Sequence, residues 1–283
     1  MTLWQTSRRQ IPIERPLVMA ILNVTPDSFS DGGNYLSVDD GLRRVESLIA
    51  DGADIVDIGG ESTRPGSHRV SSIEEISRTV PVIKAVTDRF DIPISIDTTK
   101  SSVAKAAIDA GAEIINDISG LRFDAKIAEV AAASGSGLVL MHSRGDFESM
   151  HTQGPVGDIL VVVKADFERA LGIALSAGVH KSRIALDVGL GFGKTLEQNL
   201  ELIAKLGKLA VDFQAYPILV GSSRKSFIGR LLDGAPTSER LNGSLSTAAI
   251  AVFNGASILR VHDVKETVDA VKVAVAIRKE KGV

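Results

Sequence analysis

Asp97, Asn116 and Asp187 are the residues of this 283-residue chain best suited to read the edge of a flat heterocycle. A carboxylate accepts paired N–H donors and a side-chain amide both donates and accepts, so together they match a ring edge of alternating donors and acceptors. Each ends a short apolar run: Ile94–Ile96, Ile114–Ile115 and Ile184–Leu186. Asp is also a favoured helix cap, and that role competes for Asp97 and Asp187. A second group suits an anion. Asn23, Arg64, Arg260 and His262 follow or end the first, second and last apolar runs. A guanidinium binds phosphate oxygens in pairs, and an Asn oxygen suits Mg²⁺, a hard cation commonly shared with substrate phosphates. A third feature is Gly221-Ser-Ser-Arg-Lys-Ser226, which follows an apolar run and opens a helix, placing Ser223 near backbone N–H groups that attract anions. A serine cap flanked by solvated Arg and Lys is the plainer reading of that segment.

Other chemistries are excluded. Gly189-Leu-Gly-Phe-Gly-Lys194 lacks the dinucleotide spacing, Gly221–Ser226 lacks the P-loop spacing, and no nucleophile elbow G-x-S-x-G is present. The five histidines show no H-x-x-x-H zinc spacing, and without cysteine there is neither disulfide nor thiolate chemistry. A net charge of -3 argues against a nucleic-acid surface. No stretch approaches the roughly 20 apolar residues that span a bilayer, and Met1–Pro16 lacks the apolar region of a signal peptide, so a cytoplasmic, membrane-free protein is expected.

The elements that must position these residues follow one repeated pattern. Strand-type runs at Leu17–Leu22, Ile55–Ile58, Ile94–Ile96, Ile114–Ile115, Gly137–Leu140, Ile184–Leu186, Ile218–Val220 and Ile258–Val261 alternate with segments of helical period. Helices are expected at Val38–Ala50, Ser72–Phe90, Ser101–Ala110, Ala125–Ala133, Asp158–Ala177, Leu196–Leu209, Lys225–Leu232, Ser238–Phe253 and Val264–Arg278. Ser72 with Glu75 is expected to cap the second helix, and Asp263 the last. Strict alternation means parallel strands joined by right-handed crossovers, and a count of eight favours an α/β (β/α)8 TIM barrel over an open sheet. Residues before Leu17 should form a short hairpin or cap over the N-terminal mouth. No linker divides the chain, so residues 1–283 are read as one domain. Barrel chemistry sits at the C-terminal strand ends, where Asp97, Asn116, Asp187, Lys225 and His262 would converge.

Taken in order, Asn23-Val-Thr-Pro-Asp-Ser-Phe-Ser-Asp-Gly-Gly33, Asp57-Ile-Gly-Gly-Glu-Ser-Thr-Arg-Pro-Gly66, Ser95-Ile-Asp-Thr98, Ile115-Asn-Asp-Ile118, Met141-His142, Asp187 to Lys194, Ser223-Arg-Lys-Ser226 and Arg260-Val-His-Asp263 resemble dihydropteroate synthase. The resemblance implies a TIM barrel that joins hydroxymethyl-dihydropterin diphosphate to p-aminobenzoate and releases diphosphate. Carried over by position, it puts Asp97, Asn116, Met141, Asp187 and Lys225 on the pterin, and Asn23, Arg260 and His262 on the diphosphate, with Asn23 also on Mg²⁺. Thr63, Arg64, Pro65, Phe192, Ser223 and Lys225 would take p-aminobenzoate. Asn23, Asp97, Lys225, Arg260 and His262 would carry the chemistry. Loops Thr25–Gly33 and Arg64–Ser67 would close over the substrates, homodimers are expected, and sulfonamides should compete with p-aminobenzoate. Val188 and Leu190 depart from the family's usual Pro and Phe, which should change loop stiffness rather than chemistry. A pterin-binding methyltransferase would not need Ser223–Lys225 or Arg260–His262. A non-catalytic pterin-binding relative is distinguished only by assay, and a barrel with no ligand leaves the ordered motifs unexplained.

Overall fold

A computed structural model describes residues 2–25, 37–63 and 66–280. Two short antiparallel strands, β1 (Thr2–Gln5) and β2 (Gln10–Ile13), precede eight parallel strands that close on themselves. These are β3 (Leu17–Asn23), β4 (Ile55–Gly59), β5 (Ile94–Asp97), β6 (Ile114–Asp117), β7 (Gly137–Met141), β8 (Ile184–Asp187), β9 (Ile218–Val220) and β10 (Ile258–Val261). Closure occurs where β10 pairs with β3, Arg260 standing opposite Met19. The expected barrel is the observed one.

The two-residue period of a strand explains what the barrel does with its sequence. Outward residues such as Val18, Ala20, Val56, Ile58, Ile94, Ile96, Leu138 and Leu186 pack beneath the helices in the large core. Met19, Ile55, Ile114, Val139, Ala185, Leu219 and Ile258 form a separate inner cluster, the apolar floor of the barrel. Two residues further along each of these strands the inner position is taken by Ile21, Asp57, Asn116, Met141, Asp187, Gly221 and Arg260. Dry apolar packing therefore gives way within one side-chain layer to polar groups at the C-terminal mouth. The other end is shut by the β1–β2 hairpin. Its Trp4 is wholly buried against the floor and donates Nε1–H to Arg183 O at 2.9 Å.

The helices are α1 (Val38–Ala50), α2 (Ser72–Arg89), α3 (Ser101–Asp109), α4 (Lys126–Ser134), α5 (Ile159–Ser176), α6 (Leu196–Ala204), α7 (Leu206–Asp212), α8 (Ser226–Leu231), α9 (Leu241–Phe253) and α10 (Val264–Glu280). Three local expectations are corrected. The segment expected as one helix over Leu196–Leu209 breaks at Lys205 into α6 and α7. Ser71, not Ser72, caps α2, its hydroxyl accepting Glu74 N–H at 3.2 Å. The Asp263 carboxylate is drawn to Arg224, which donates to it at 2.9 and 2.5 Å, because a guanidinium outcompetes helix amides for a carboxylate.

Candidate active site

Above the polar layer lies a cavity of about 510 Å³. Asn23, Asp97, Asn116, Met141 and Asp187 line it from β3, β5, β6, β7 and β8. Arg260 and His262 come from the end of β10, Ser223 and Lys225 from the turn after β9, Thr63 from the loop after β4, and Phe192 from the loop after β8. The structure thus gathers eleven of the thirteen site residues expected from the sequence around one space; Arg64 and Pro65 lie outside the described residues, as does most of the Thr25–Gly33 loop.

The carboxylate–amide group and the anion-binding group, distinct in the sequence, are not kept apart by the geometry. Arg260 Nε donates to Asp57 Oδ2 and its Nη2 to Asp97 Oδ2, both at 2.6 Å. Asn116 Nδ2 donates to the same Asp57 oxygen at 3.1 Å. Two carboxylates and one guanidinium therefore form a single network on the cavity floor, with Asp57 fully buried at its centre. Asp57 was quoted in the sequence motif but given no role. Its inward position, two residues beyond Ile55, was the signal that could have found it. Asp57 Oδ1, Ser95 Oγ and Asn116 Oδ1 are buried without a protein partner. Such atoms cost free energy unless water or a ligand satisfies them, and these three sit at or just beneath the cavity floor.

Burial disturbs the titration of the groups here. Asp97 is pushed up to about 7, mainly by loss of water; Arg260 opposes this and the neighbouring Asp57 and Glu75 reinforce it. Asp187 is also raised by burial, against the pull of Gly189 N–H, which its Oδ1 accepts at 2.8 Å. Lys225 is lowered to about 8 by burial despite Asp187. Its ammonium sits 4.0 Å above the Phe192 ring, a cation–π contact that holds both side chains against the same wall.

Asp187 is not a helix cap: the hydrogen bond to Gly189 folds the chain back on itself after β8. Gly189 has φ 64°, and a Cβ there would lie 1.9 Å from His142 O, so no other residue fits. Lys194 completes this turn by donating to the carbonyls of Gly189, Phe192 and His142 at 2.6, 3.0 and 3.3 Å. Val188 and Leu190 are buried in the core, consistent with a packing role for both departures from the family pattern.

Across the mouth, Ser223 and His262 meet. Ser223 Oγ accepts His262 N–H at 3.2 Å and lies 3.1 Å from the ring Nδ1. The expected carboxylate receptor and the expected diphosphate ligand are therefore direct neighbours. Between Ser223 and Lys225, Arg224 takes φ 57°, a left-handed conformation unusual for a side-chain-bearing residue. It is held there by Asp263 and by its N–H donating to Ser244 Oγ at 2.9 Å. Lys225 rather than Ser223 is the residue from which α8 starts. His151, which the sequence did not single out, spans two loops: its Nε2 lies 2.8 Å from Thr63 O and its Nδ1 3.3 Å from Gly191 O.

Among the described residues no group of three or more His, Asp or Glu is arranged to hold a metal. The donor set instead fits an ion that arrives on a phosphate. Mg²⁺ keeps several waters and needs only one or two protein oxygens, and Asn23 and Asp97 both line the cavity on either side of Gly59, where a Cβ would touch Asn23 Oδ1 and Asp97 Cβ, each at 3.6 Å.

The family described as pterin binding enzyme matches residues 19–262. A dihydropteroate synthase of Synechocystis sp. is 45% identical over 264 residues, covering 93% of this chain and 91% of that protein. The crystal structure of the Yersinia pestis dihydropteroate synthase with a sulfonamide drug complex has 42% identity and a TM-score of 0.92, covering 98% of this chain and all of that one. The Xanthomonas albilineans dihydropteroate synthase with 4-aminobenzoic acid has 39% identity and a TM-score of 0.90, covering 98% of each chain. The closed barrel, its polar mouth and these likenesses agree, and the chain belongs to the dihydropteroate synthase family of pterin-binding enzymes, transferases of folate biosynthesis.

Proposed function

We propose that the cavity condenses hydroxymethyl-dihydropterin diphosphate with p-aminobenzoate through a dissociative substitution, and that each residue of the mouth has a part in it. The observation that carries this reading is the convergence of Asp97, Asn116, Asp187, Lys225 and Arg260 on one cavity of about 510 Å³, large enough for two small aromatic substrates. Asp97, Asn116 and Asp187 hold the amino-substituted edge of the pterin, with Met141 against its face. Ser223 and Lys225 receive the carboxylate of p-aminobenzoate, whose ring lies toward Phe192 and the segment Thr63, Arg64 and Pro65.

An arylamine is unprotonated at neutral pH, so the nucleophile needs no base. The demanding event is cleavage of the C–O bond between the pterin methylene and diphosphate. Both bonding electrons leave with the diphosphate oxygen. Arg260 and His262 neutralise that growing charge. The pterin ring spreads the positive charge left on the methylene, and Asp97 and Asp187, acceptors fixed in a site with little water, favour the cation. The amine lone pair then forms the C–N bond, and its proton is lost to diphosphate or water. Asn23 would help hold a Mg²⁺ brought in on the substrate's phosphates, and the bound ion would supply further charge neutralisation on the leaving group.

The test is diphosphate release measured with both substrates and Mg²⁺. Turnover that requires all three, and competition between a sulfonamide and p-aminobenzoate, is the expected result. Absence of turnover with intact pterin binding would instead identify a non-catalytic pterin-binding member of the family.

A homodimer, as the family implies, is proposed on the face of α10 turned away from the barrel. Val264, Val268, Val271 and Val275 of α10 pack on the barrel core, whereas Val273 and Ile277 point outward, 60% and 57% exposed, with Ile250 of the adjoining α9 also exposed. No helix among the described residues is long and apolar enough to cross a membrane, and a cytoplasmic site of action is proposed.

A further inference from the structure

Outside the cavity, the most unusual cluster of charge lies beneath the loop that follows β4. Lys100, just before α3, donates to Glu61 Oε1 at 2.8 Å and to Glu75 Oε2 at 2.6 Å. All three are shielded from water: the side chains of Lys100, Glu61 and Glu75 are 17%, 6% and 0% exposed. The same Glu61 oxygen accepts Val70 N–H at 2.8 Å, so one carboxylate joins the start of the loop to its end. Inside this bracket Ser67 Oγ donates to Ser62 O at 2.6 Å, tightening the turn that carries Thr63. Glu61, Ser62, Thr63 and Ser67 line the cavity, while Lys100 does not.

Two carboxylates held this close to each other with no cation would repel, and Glu75, buried and raised by the loss of water, cannot move toward solvent. Lys100 is thus the cation that joins Glu61 to Glu75 while the same Glu61 oxygen accepts the Val70 amide. We infer that Lys100 is a positioning residue: through Glu61 it ties the segment 61–63 to Val70 and so sets affinity for the amine substrate, without touching either substrate. This rests on assigning Thr63 and its neighbours to the p-aminobenzoate half of the cavity. The pterin half is built on strand ends β5, β6 and β8, and the bracket reaches it only through the charge of Glu75 near Asp97.

Lys100→Met and Glu61→Gln, with Lys100→Arg as the conservative variant, test the inference by steady-state kinetics in each substrate and by direct binding of the pterin diphosphate. In Lys100→Met the KM for p-aminobenzoate should rise about tenfold or more, as expected when a remote support lets a substrate-binding segment shift. Pterin affinity should stay within about twofold, and Lys100→Arg, which can still bridge two carboxylates, should restore the amine KM. Glu61→Gln leaves the Lys100–Glu75 pair intact, so it reports on the loop even if Lys100→Met does not fold; its amine KM should also rise. An unchanged amine KM in Glu61→Gln, or an equal loss of affinity for both substrates, overturns the inference. Phe192→Ala separates the two failures. If it raises the amine KM while the Lys100 and Glu61 variants do not, the bracket is unimportant; if it too has no effect, the assignment of that half of the cavity is wrong.

Discussion

Asp57 shows how one residue governs a site it need not touch. It holds Arg260 and Asn116 through a single oxygen, so the cation proposed for the diphosphate and the amide proposed for the pterin edge share one anchor. Asp57→Asn should keep the barrel folded but lower turnover by about 10–100-fold, the usual effect of losing a group that orients functional side chains. Wild-type kcat/KM for the pterin in a folded variant would refute the anchoring role. Titration makes a second prediction at this scale. With Asp97 near 7 and Lys225 near 8, the carboxylate is charged only above the first value and the ammonium only below the second. Pterin affinity of the free protein should therefore peak between about pH 7 and 8 and fall on either side, and Asp97→Asn should abolish the acidic limb. The same shift has a stability sign. Between its ordinary 3.8 and about 7, folded Asp97 keeps a proton that the unfolded chain has lost. Its contribution to stability therefore falls as pH rises through that window, and a flatter curve for Asp97→Asn in chemical denaturation would show it. Asp97, Asn116 and Asp187 were legible in the sequence because polar residues ending apolar runs stand out. Asp57 was not, because it lies at the middle of its strand, flanked by Val56 and Ile58, and only barrel closure brings it to Arg260.

At the level of elements, the turns after strands do the positioning, and their chemistry is local. The β8 turn is set by Gly189 in the left-handed region and by three carbonyls gathered on Lys194. Burial lowers the Lys194 amine well below its ordinary value, yet no carboxylate is bonded to it. Lys194→Met leaves those carbonyls without their donor, which should cost about 1–3 kcal/mol and loosen Phe192 and Asp187 together. Faster amide exchange in residues 188–194 with unchanged exchange in β3–β6 is the expected pattern; uniform exchange throughout would contradict it. Most element limits were read from sequence to within a residue or two because apolar period and the Gly and Asp stops are short-range signals; the helix expected from Ser238 begins instead at Leu241, after a 3-10 turn over Thr237–Glu239. The break of α6 from α7 at Lys205 was missed, although Gly207, two residues beyond it, weakens the helix there. The capping residues were displaced where a side chain found a stronger partner, as Asp263 did in Arg224.

On the scale of the molecule, the exposed Ile250, Val273 and Ile277 give the dimer proposal its test. Ile277→Glu with Val273→Glu should shift the mass measured by light scattering from two chains toward one, while the monomer keeps its thermal transition, because neither residue packs in the core. An unaltered dimer mass would move the interface elsewhere.

What the sequence determined alone was the alternation of eight apolar runs with helical segments, and hence a parallel barrel whose polar strand ends share one mouth. Those are short-range patterns, fixed by the two-residue period of strands and the 3.6-residue period of helices. Only the tertiary structure decided which charges are partners. Arg260 lies 203 residues from Asp57 and 163 from Asp97, and Lys100 lies 39 from Glu61. Such pairings depend on closure and burial, since a carboxylate's partner is the cation that the fold brings within reach once water has been removed.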